Sequence, residues 1–310
     1  MHRSPSFALG IDIGGTTAKL ALVTSAGQIV ARAQVPTGRK LGAEDLVADL
    51  ATATGRLLVP ITSGPTVVGV GVAAPGFRAP DGSGVVNVSN LPTLDGFPLR
   101  ERLAAALGLP VIIDNDANAA ALAEYRFGDR QGARRLHLVT VGTGIGSGLI
   151  VDGEVLRVSW GGLGDSGHVV VQRDGRPCAC GGTGCLETLA AVPAMVRAAQ
   201  AAGVGVEDFR ALAAAARAGE PLALAAIREA AGWLGMGLAA LTHVLGPERI
   251  LLGGGATDAL GDLLLEPVRA SFARHCQPFL RVRVTFGRAR LGNDAGVIGA
   301  AALQLMQREA

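Results

Sequence analysis

Phe7-Ala8-Leu9-Gly10-Ile11-Asp12-Ile13-Gly14-Gly15-Thr16-Thr17 is the stretch that decides the fold. An apolar run of strand length breaks at two glycines and two threonines, residues 19–23 resume it, and Ser25-Ala26-Gly27 turn the chain into 28–34. The reading is strand, tight turn, strand, hairpin. Glycine at the turn lets backbone amides approach phosphate oxygens, and the hydroxyls of Thr16 and Thr17 add donors. Asp12, at the strand end, is placed to hold magnesium directly or through water. Taken alone, the motif reads equally as an ordinary hairpin turn.

The same order returns once. Residues 136–141 are apolar, Gly142-Thr143-Gly144-Ile145-Gly146-Ser147-Gly148 form a second glycine turn, 149–151 read as a strand, and Asp152-Gly153 turn the chain into 154–158. Repetition of strand, phosphate-type turn and hairpin points to two lobes related by duplication. The second turn is not a dinucleotide fingerprint, because Ser147 stands where the third glycine belongs and a strand follows rather than a helix. No loop ends in the lysine and serine or threonine pair of a P-loop, so phosphate handling rests on turns from two lobes. A third turn, Gly253-Gly254-Gly255, follows the apolar run 248–252 and suits a backbone lying flat against an adenosine, or a plain strand-to-helix turn.

Between the first two turns, 67–73 and 111–114 read as buried strands and 43–58 and 99–107 as helices, which implies a largely parallel sheet flanked by helices. The second half carries an irregular segment, 160–185, then alanine-rich helices over 186–245, strands at 248–252 and 282–286, and a last helix from 295. Two domains follow from 310 residues. The expected division is 1–116 as a small lobe, with the helix at 295–310 packing back on it, and 117–294 as a larger one.

Net charge is +2 and aromatic residues make up 4% of the chain, with arginines scattered singly, which argues against a nucleic-acid surface. Mean hydropathy is +0.38. The uncharged stretch 231–247 falls short of the roughly 18 to 20 apolar residues of a membrane span and reads as a buried helix. Residues 1–9 show no signal peptide, so a cytoplasmic setting is expected.

Asp114-Asn115-Asp116-Ala117-Asn118 follows a strand and precedes the apolar helix 119–127. One capping residue suffices for a helix start, and four amide or carboxylate residues in five positions exceed that need. In phosphoryl transfer the protein positions groups, neutralises charge and supplies a carboxylate for the acceptor hydroxyl's proton; Asp116 suits that task, although a capping aspartate looks identical. His168, Cys178, Cys180 and Cys185 lie in a glycine-rich segment with little other means of ordering itself, and three thiols with one imidazole form a closed, structural zinc set; the alternative is three free thiols. Glu187, two residues beyond the last thiol, is either held rigidly by that loop or a solvated first-turn acid.

Together these residues resemble the ROK family of repressors, uncharacterised reading frames and sugar kinases. The resemblance is carried by Gly10 to Thr16, Ala74-Pro75-Gly76, Asn115-Asp116-Ala117-Asn118, Gly142 to Gly146, Gly167-His168 and Cys178 to Glu187, and extends over nearly the whole chain. It implies an α/β, actin-like fold of the hexokinase type, with duplicated ribonuclease-H-like domains and ATP and sugar bound in the cleft between them. Asp116 falls on the family's general base, and His168, Cys178, Cys180 and Cys185 on its zinc ligands. Sugar hydroxyl contacts fall on Gly76, Asn90, Asn115, Asp116, Asp165, His168 and Glu187. ATP contacts fall on Asp12, Gly14, Gly15, Thr16, Thr17, Gly142, Thr143, Gly144, Gly254 and Gly255. Kinases of the family carry Glu three residues before the zinc histidine, where this chain has Asp165, a carboxylate one methylene shorter on the C1 and C2 side of the sugar.

The expected reaction is ATP-dependent phosphorylation of a hexose at its 6-hydroxyl with Mg2+, glucose first. An amino-hexose such as N-acetylmannosamine or N-acetylglucosamine, fructose or allose are alternatives, as are polyphosphate or ADP as donor. A sugar-binding regulator without kinase activity is the rival from another class, and with nine residues before Gly10 no DNA-binding module is expected. A homo-oligomer, dimer or tetramer, is expected on the resemblance alone.

Overall fold

The computed structural model describes residues 6–38, 42–59, 66–88, 90–158, 161–162 and 165–306. Trp160, where the irregular segment was expected to begin, and residues 307–310 of the expected last helix lie outside them. The chain divides into two compact units, one of residues 1–128, 153–163 and 293–310, the other of residues 129–152 and 164–292.

In the first unit, β1 (Phe7–Ile13), β2 (Thr17–Thr24) and β3 (Ile29–Pro36) form an antiparallel meander. Helix α1 (Ala43–Leu58) leads to β4 (Val67–Ala74), which lies parallel to β1, and α2 (Leu99–Leu107) leads to β5 (Val111–Asn115), parallel to β4. The order is β3-β2-β1-β4-β5. The sheet is therefore mixed rather than largely parallel. A three-residue link such as Gly14-Gly15-Thr16 joins only antiparallel neighbours, whereas the helical crossovers make the parallel pairs.

Leu9, Ile11, Ile13, Leu20, Leu50, Val70, Val72, Leu99, Leu103 and Ile113 share one buried cluster. The other face of the sheet carries the helix Ala295–Met306, which packs on β1 and β4. Its approach is closer than side chains permit. A Cβ on Gly10 would stand 2.0 Å from Val297 O, and one on Gly71 would stand 1.7 Å from Ala300 O. Gly299 lets the same helix meet the backbone of the next element, α3 (Asp116–Phe127), where a Cβ would lie 1.7 Å from Ala119 O.

In the second unit, β6 (Arg135–Val141) pairs antiparallel with β7 (Ile145–Val151) and parallel with β8 (Arg249–Gly253), which pairs parallel with β9 (Thr285–Arg288). Between β7 and β8 run a loop, α4 (Glu187–Ala190), α5 (Val192–Ala201) and α6 (Pro221–Leu245); α7 (Gly255–Leu260) and α8 (Asp262–His275) follow β8. Among the described residues α6 alone is long and apolar enough to cross a membrane by composition, and 56% of its most apolar window is buried. Its Ala223, Ile227, Leu234 and Leu238 belong to this unit's core. The last strand starts later than its sequence suggests. Pro278–Arg281 closes a helical turn, Arg283 stacks 3.7 Å from the Phe279 ring, and Val282 is left 73% exposed.

Candidate active site

The first glycine turn joins β1 to β2 in three residues, Gly14, Gly15 and Thr16. Gly14 N donates to Thr17 O at 3.1 Å, and Thr37 clasps the turn from β3, its amide donating to Thr16 O and its hydroxyl to Gly14 O. Gly15 and Thr16 stand exposed at the tip, with Asn90 Cβ 3.9 Å from where a Gly15 side chain would begin. Asp12 sits at the strand end, 4.0 Å from Lys19 Nζ, and a Cβ on Gly296 would lie 2.6 Å from its Oδ2, so the carboxylate rests against the first turn of the helix that begins at Ala295. Burial raises its pKa, and the Lys19 charge opposes that rise.

The five residues 114–118 divide their work. Asn115 is the N-cap of α3: its side-chain oxygen accepts from Ala117 N at 2.9 Å and Asn118 N at 3.1 Å, while its Nδ2 donates to Gly76 O at 2.8 Å. Asp114 is fully buried; one oxygen accepts from Asn115 N and from Asn118 Nδ2, and the other is held by Nε and Nη2 of Arg157. Neither the cap nor the ion pair needs Asp116. Its Oδ1 accepts from Ala117 N at 2.8 Å, and its side chain is open to solvent. Surrounding protein still deprives the carboxylate of bulk hydration and pushes its pKa up to about 6, with the charge of Asp12 adding to the rise and the Ala117 amide opposing it. The helix N-terminus sets that carboxylate's direction, because it is the first helical residue.

In the second unit the turn 142–144 links β6 to β7, closed by Gly142 N donating to Gly144 O at 2.9 Å. Thr143 is exposed at its tip. Glu187, the first residue of α4, reaches this turn directly: its Oε2 accepts from Ile145 N at 2.8 Å and would be 2.4 Å from a Cβ on Gly144. It is thus a held carboxylate, bound to a backbone amide of the turn and borne on a helix that Cys185 leads into. Gly254 has φ +84° and lies against Val141, 2.6 Å from its carbonyl to the position of a Cβ, so the third glycine turn borders the second; Gly255 opens α7. Only glycine satisfies that φ and that approach together.

His168, Cys178, Cys180 and Cys185 converge, with one ligand atom from each within 4.8 Å of the others. Cys178 Sγ is 3.5 Å from His168 Nδ1 and Cys180 Sγ is 3.7 Å from Cys185 Sγ. A tetrahedral zinc with bonds of about 2.3 Å to sulfur sets its donors about 3.8 Å apart, so the donor set and its spacing fit that ion. The other imidazole nitrogen faces Asp165 Oδ2 at 3.7 Å, beyond hydrogen-bond reach. Burial raises the pKa of Asp165; His168 pulls it down and Glu187 pushes it up.

Within the first unit the structure thus brings together Asp12 and Asp116, Gly15 and Asn90, and Gly76 and Asn115. Within the second it gathers Gly142, Thr143, Gly144, Glu187 and Gly254, and beside them, with Asp165 in electrostatic reach of Glu187, the cysteine set with Asp165 and His168. Two groups escaped the sequence reading. Arg157 holds the Asp114 carboxylate from 43 positions away, and His137, Ser147 and Ser166 form a buried polar chain beneath Asp165. A lone histidine in the apolar run 136–141 was the only sequence signal for the second.

The ROK family profile matches residues 8–307. A glucokinase of Halalkalibacterium halodurans is 38% identical over 96% of this chain and 94% of its own. A ROK family glucokinase from Streptomyces griseus, solved in complex with glucose and AMPPNP, superposes with a TM-score of 0.81 at 35% identity over 96% of this chain and 98% of its own. A ROK hexokinase from Thermus thermophilus superposes with a TM-score of 0.84 at 34% identity over 98% and 99%. The two-lobed, actin-like architecture is common to this set, and the chain belongs to the ROK family.

Proposed function

We propose that this protein transfers the terminal phosphoryl group of ATP to the 6-hydroxyl of a hexose, with glucose as the first substrate to test. The observation that carries the reading is the division of labour in 114–118, which leaves Asp116 outside both the cap and the ion pair, with a pKa of about 6. Asp116 accepts the proton of the attacking hydroxyl as the bond to phosphorus forms. Asn115, its amide oriented by Gly76, and Asn90 contact sugar hydroxyls, as do Asp165, His168 and Glu187. The amides and hydroxyls of Gly14 to Thr17 and Gly142 to Gly144 face the phosphates, and Gly254 and Gly255 the adenosine. Magnesium, when bound, neutralises phosphate charge, and Asp12 is the carboxylate placed to hold it. Zinc on His168, Cys178, Cys180 and Cys185 is structural, because four protein donors leave no open position. The same reading assigns a cytoplasmic enzyme working as a homo-oligomer.

Coupled ADP release with glucose, mannose, fructose, allose, N-acetylglucosamine and N-acetylmannosamine tests it. Glucose is expected to give the highest kcat/KM; ADP release that no sugar accelerates overturns the reading. The shorter Asp165 leaves room beside C2, so preference for an N-acetylated sugar would keep the reaction and change the substrate.

The pH profile follows from the same carboxylate. The base works ionised, and its pKa is about 6. Sugar-dependent kcat/KM is therefore expected to be level above about pH 7 and to fall toward tenfold per unit below about 6. The residual rate of Asp116→Asn lacks this acid limb; a limb that persists there belongs to another group.

A further inference from the structure

We infer that His137 is a positioning residue, which anchors the turn presenting Asp165 and His168 and thereby sets the affinity for sugar; the inference rests on the sugar-kinase reading above. His137 lies in β6, wholly buried, with Nε2 3.0 Å from Ser166 Oγ. Ser147 of β7 donates through its hydroxyl to the same Ser166 oxygen at 2.7 Å and accepts from Ser166 N at 3.1 Å. Ser166 is the first residue of the 3-10 turn Ser166–His168, so its backbone and side chain are both tied to the sheet of this unit. Gly167 closes the packing, since a Cβ there would stand 2.4 Å from Ile145 O. Asp165 immediately precedes this anchored pair and His168 immediately follows it. The direction of both side chains is therefore set by what holds Ser166.

A core strand needs no imidazole to fold. His137 Nδ1 has no hydrogen-bond partner among the described residues, and either neutral tautomer leaves that nitrogen unmatched. Burial lowers the ring's pKa to about 4, so it is neutral at pH 7. Leucine at this position would avoid the orphaned nitrogen. The one interaction that distinguishes histidine from leucine here is the bond to Ser166, and that bond acts on the turn rather than on the core.

The test compares wild type with His137→Leu, Ser166→Ala and His137→Gln. His137→Leu and Ser166→Ala are expected to raise the sugar KM about tenfold, the effect of one buried hydrogen bond, with the ATP KM within about twofold and no fall in Tm for His137→Leu. Release of zinc to the chromogenic chelator pyridylazoresorcinol is expected to speed up in both, because His168 is loosened with the turn. His137→Gln places an amide nitrogen where Nε2 was and is expected to restore the sugar KM to within about threefold of wild type. Unchanged sugar KM and unchanged zinc release in the two loss variants overturn the inference. So does an equal rise in both KM values with a lower Tm, which marks general loosening. Should His137→Leu not fold, Ser166→Ala, which removes one oxygen, carries the test. If the wild type itself shows no sugar-dependent ADP release, the kinase reading has failed, and zinc release alone decides on the anchor: faster release in Ser166→Ala supports it, unchanged release overturns it.

Discussion

Asp116→Asn is expected to lower sugar-dependent kcat by about 10² to 10⁴ while the sugar Kd stays within about threefold. Asparagine keeps the size of aspartate and an oxygen that can accept from Ala117 N, the bond made by Oδ1 at 2.8 Å. The helix start does not loosen, because Asn115 is the cap, and Asp114 keeps Arg157. Only the ability to take a proton is lost, so the fall belongs in kcat rather than in stability. Steady-state ADP release gives kcat, and titration calorimetry gives Kd. Turnover above one tenth of wild type would remove Asp116 from the role of base; a matching loss in Tm would move the effect to folding.

The second large effect is expected at the cysteine loop. Replacing Cys185 by Ser, or stripping the metal with a chelator, should lower sugar kcat/KM on the order of 10², and restoring zinc should recover the stripped wild type but not the variant. The loop has little else to hold it. Its backbone bonds are short-range, such as Cys178 N to Gly182 O at 2.8 Å and Gly184 N to Arg176 O at 2.9 Å, and most residues from 172 to 182 are exposed. Cys185 is buried and leads directly into Leu186 and α4. Freed thiols would therefore slacken both His168 and the entry to Glu187. Zinc content by atomic absorption, with limited proteolysis between 170 and 185, checks the point. Full activity in a zinc-free protein overturns it.

Much of the frame was legible because it follows from periodicity. The apolar run 7–13 is β1, and 43–58 and 99–107 are α1 and α2 to the residue. Boundaries moved where a polar side chain replaces a backbone bond. α3 begins at Asp116 rather than 119, because the Asn115 cap lets polar residues fill the first turn. β7 begins at Ile145, four residues earlier than the apolar signal, since Gly146, Ser147 and Gly148 pair with β6 without looking like strand residues. The cysteine set was readable from donor chemistry, and its convergence supports that reading. Arg157 and the chain from His137 to Ser166 were not readable. Their partners lie 43 and 29 positions away, and a single polar residue in an apolar run gives no clue to what it faces.

The first unit is assembled from three separated stretches of chain, and the face of its sheet that receives Ala295–Met306 stays bare until that helix has been made. During synthesis, Gly10 and Gly71 emerge long before Val297 and Ala300, the residues they fit against. At ordinary elongation rates of about 5 to 20 residues per second the gap is on the order of tens of seconds. The second unit, whose segments run from 129 to 292, has all its residues synthesised before that helix. The lobe that begins the chain cannot cover its sheet until residues 295–306 have been made, and that half-covered sheet is the surface a chaperone would have to shield.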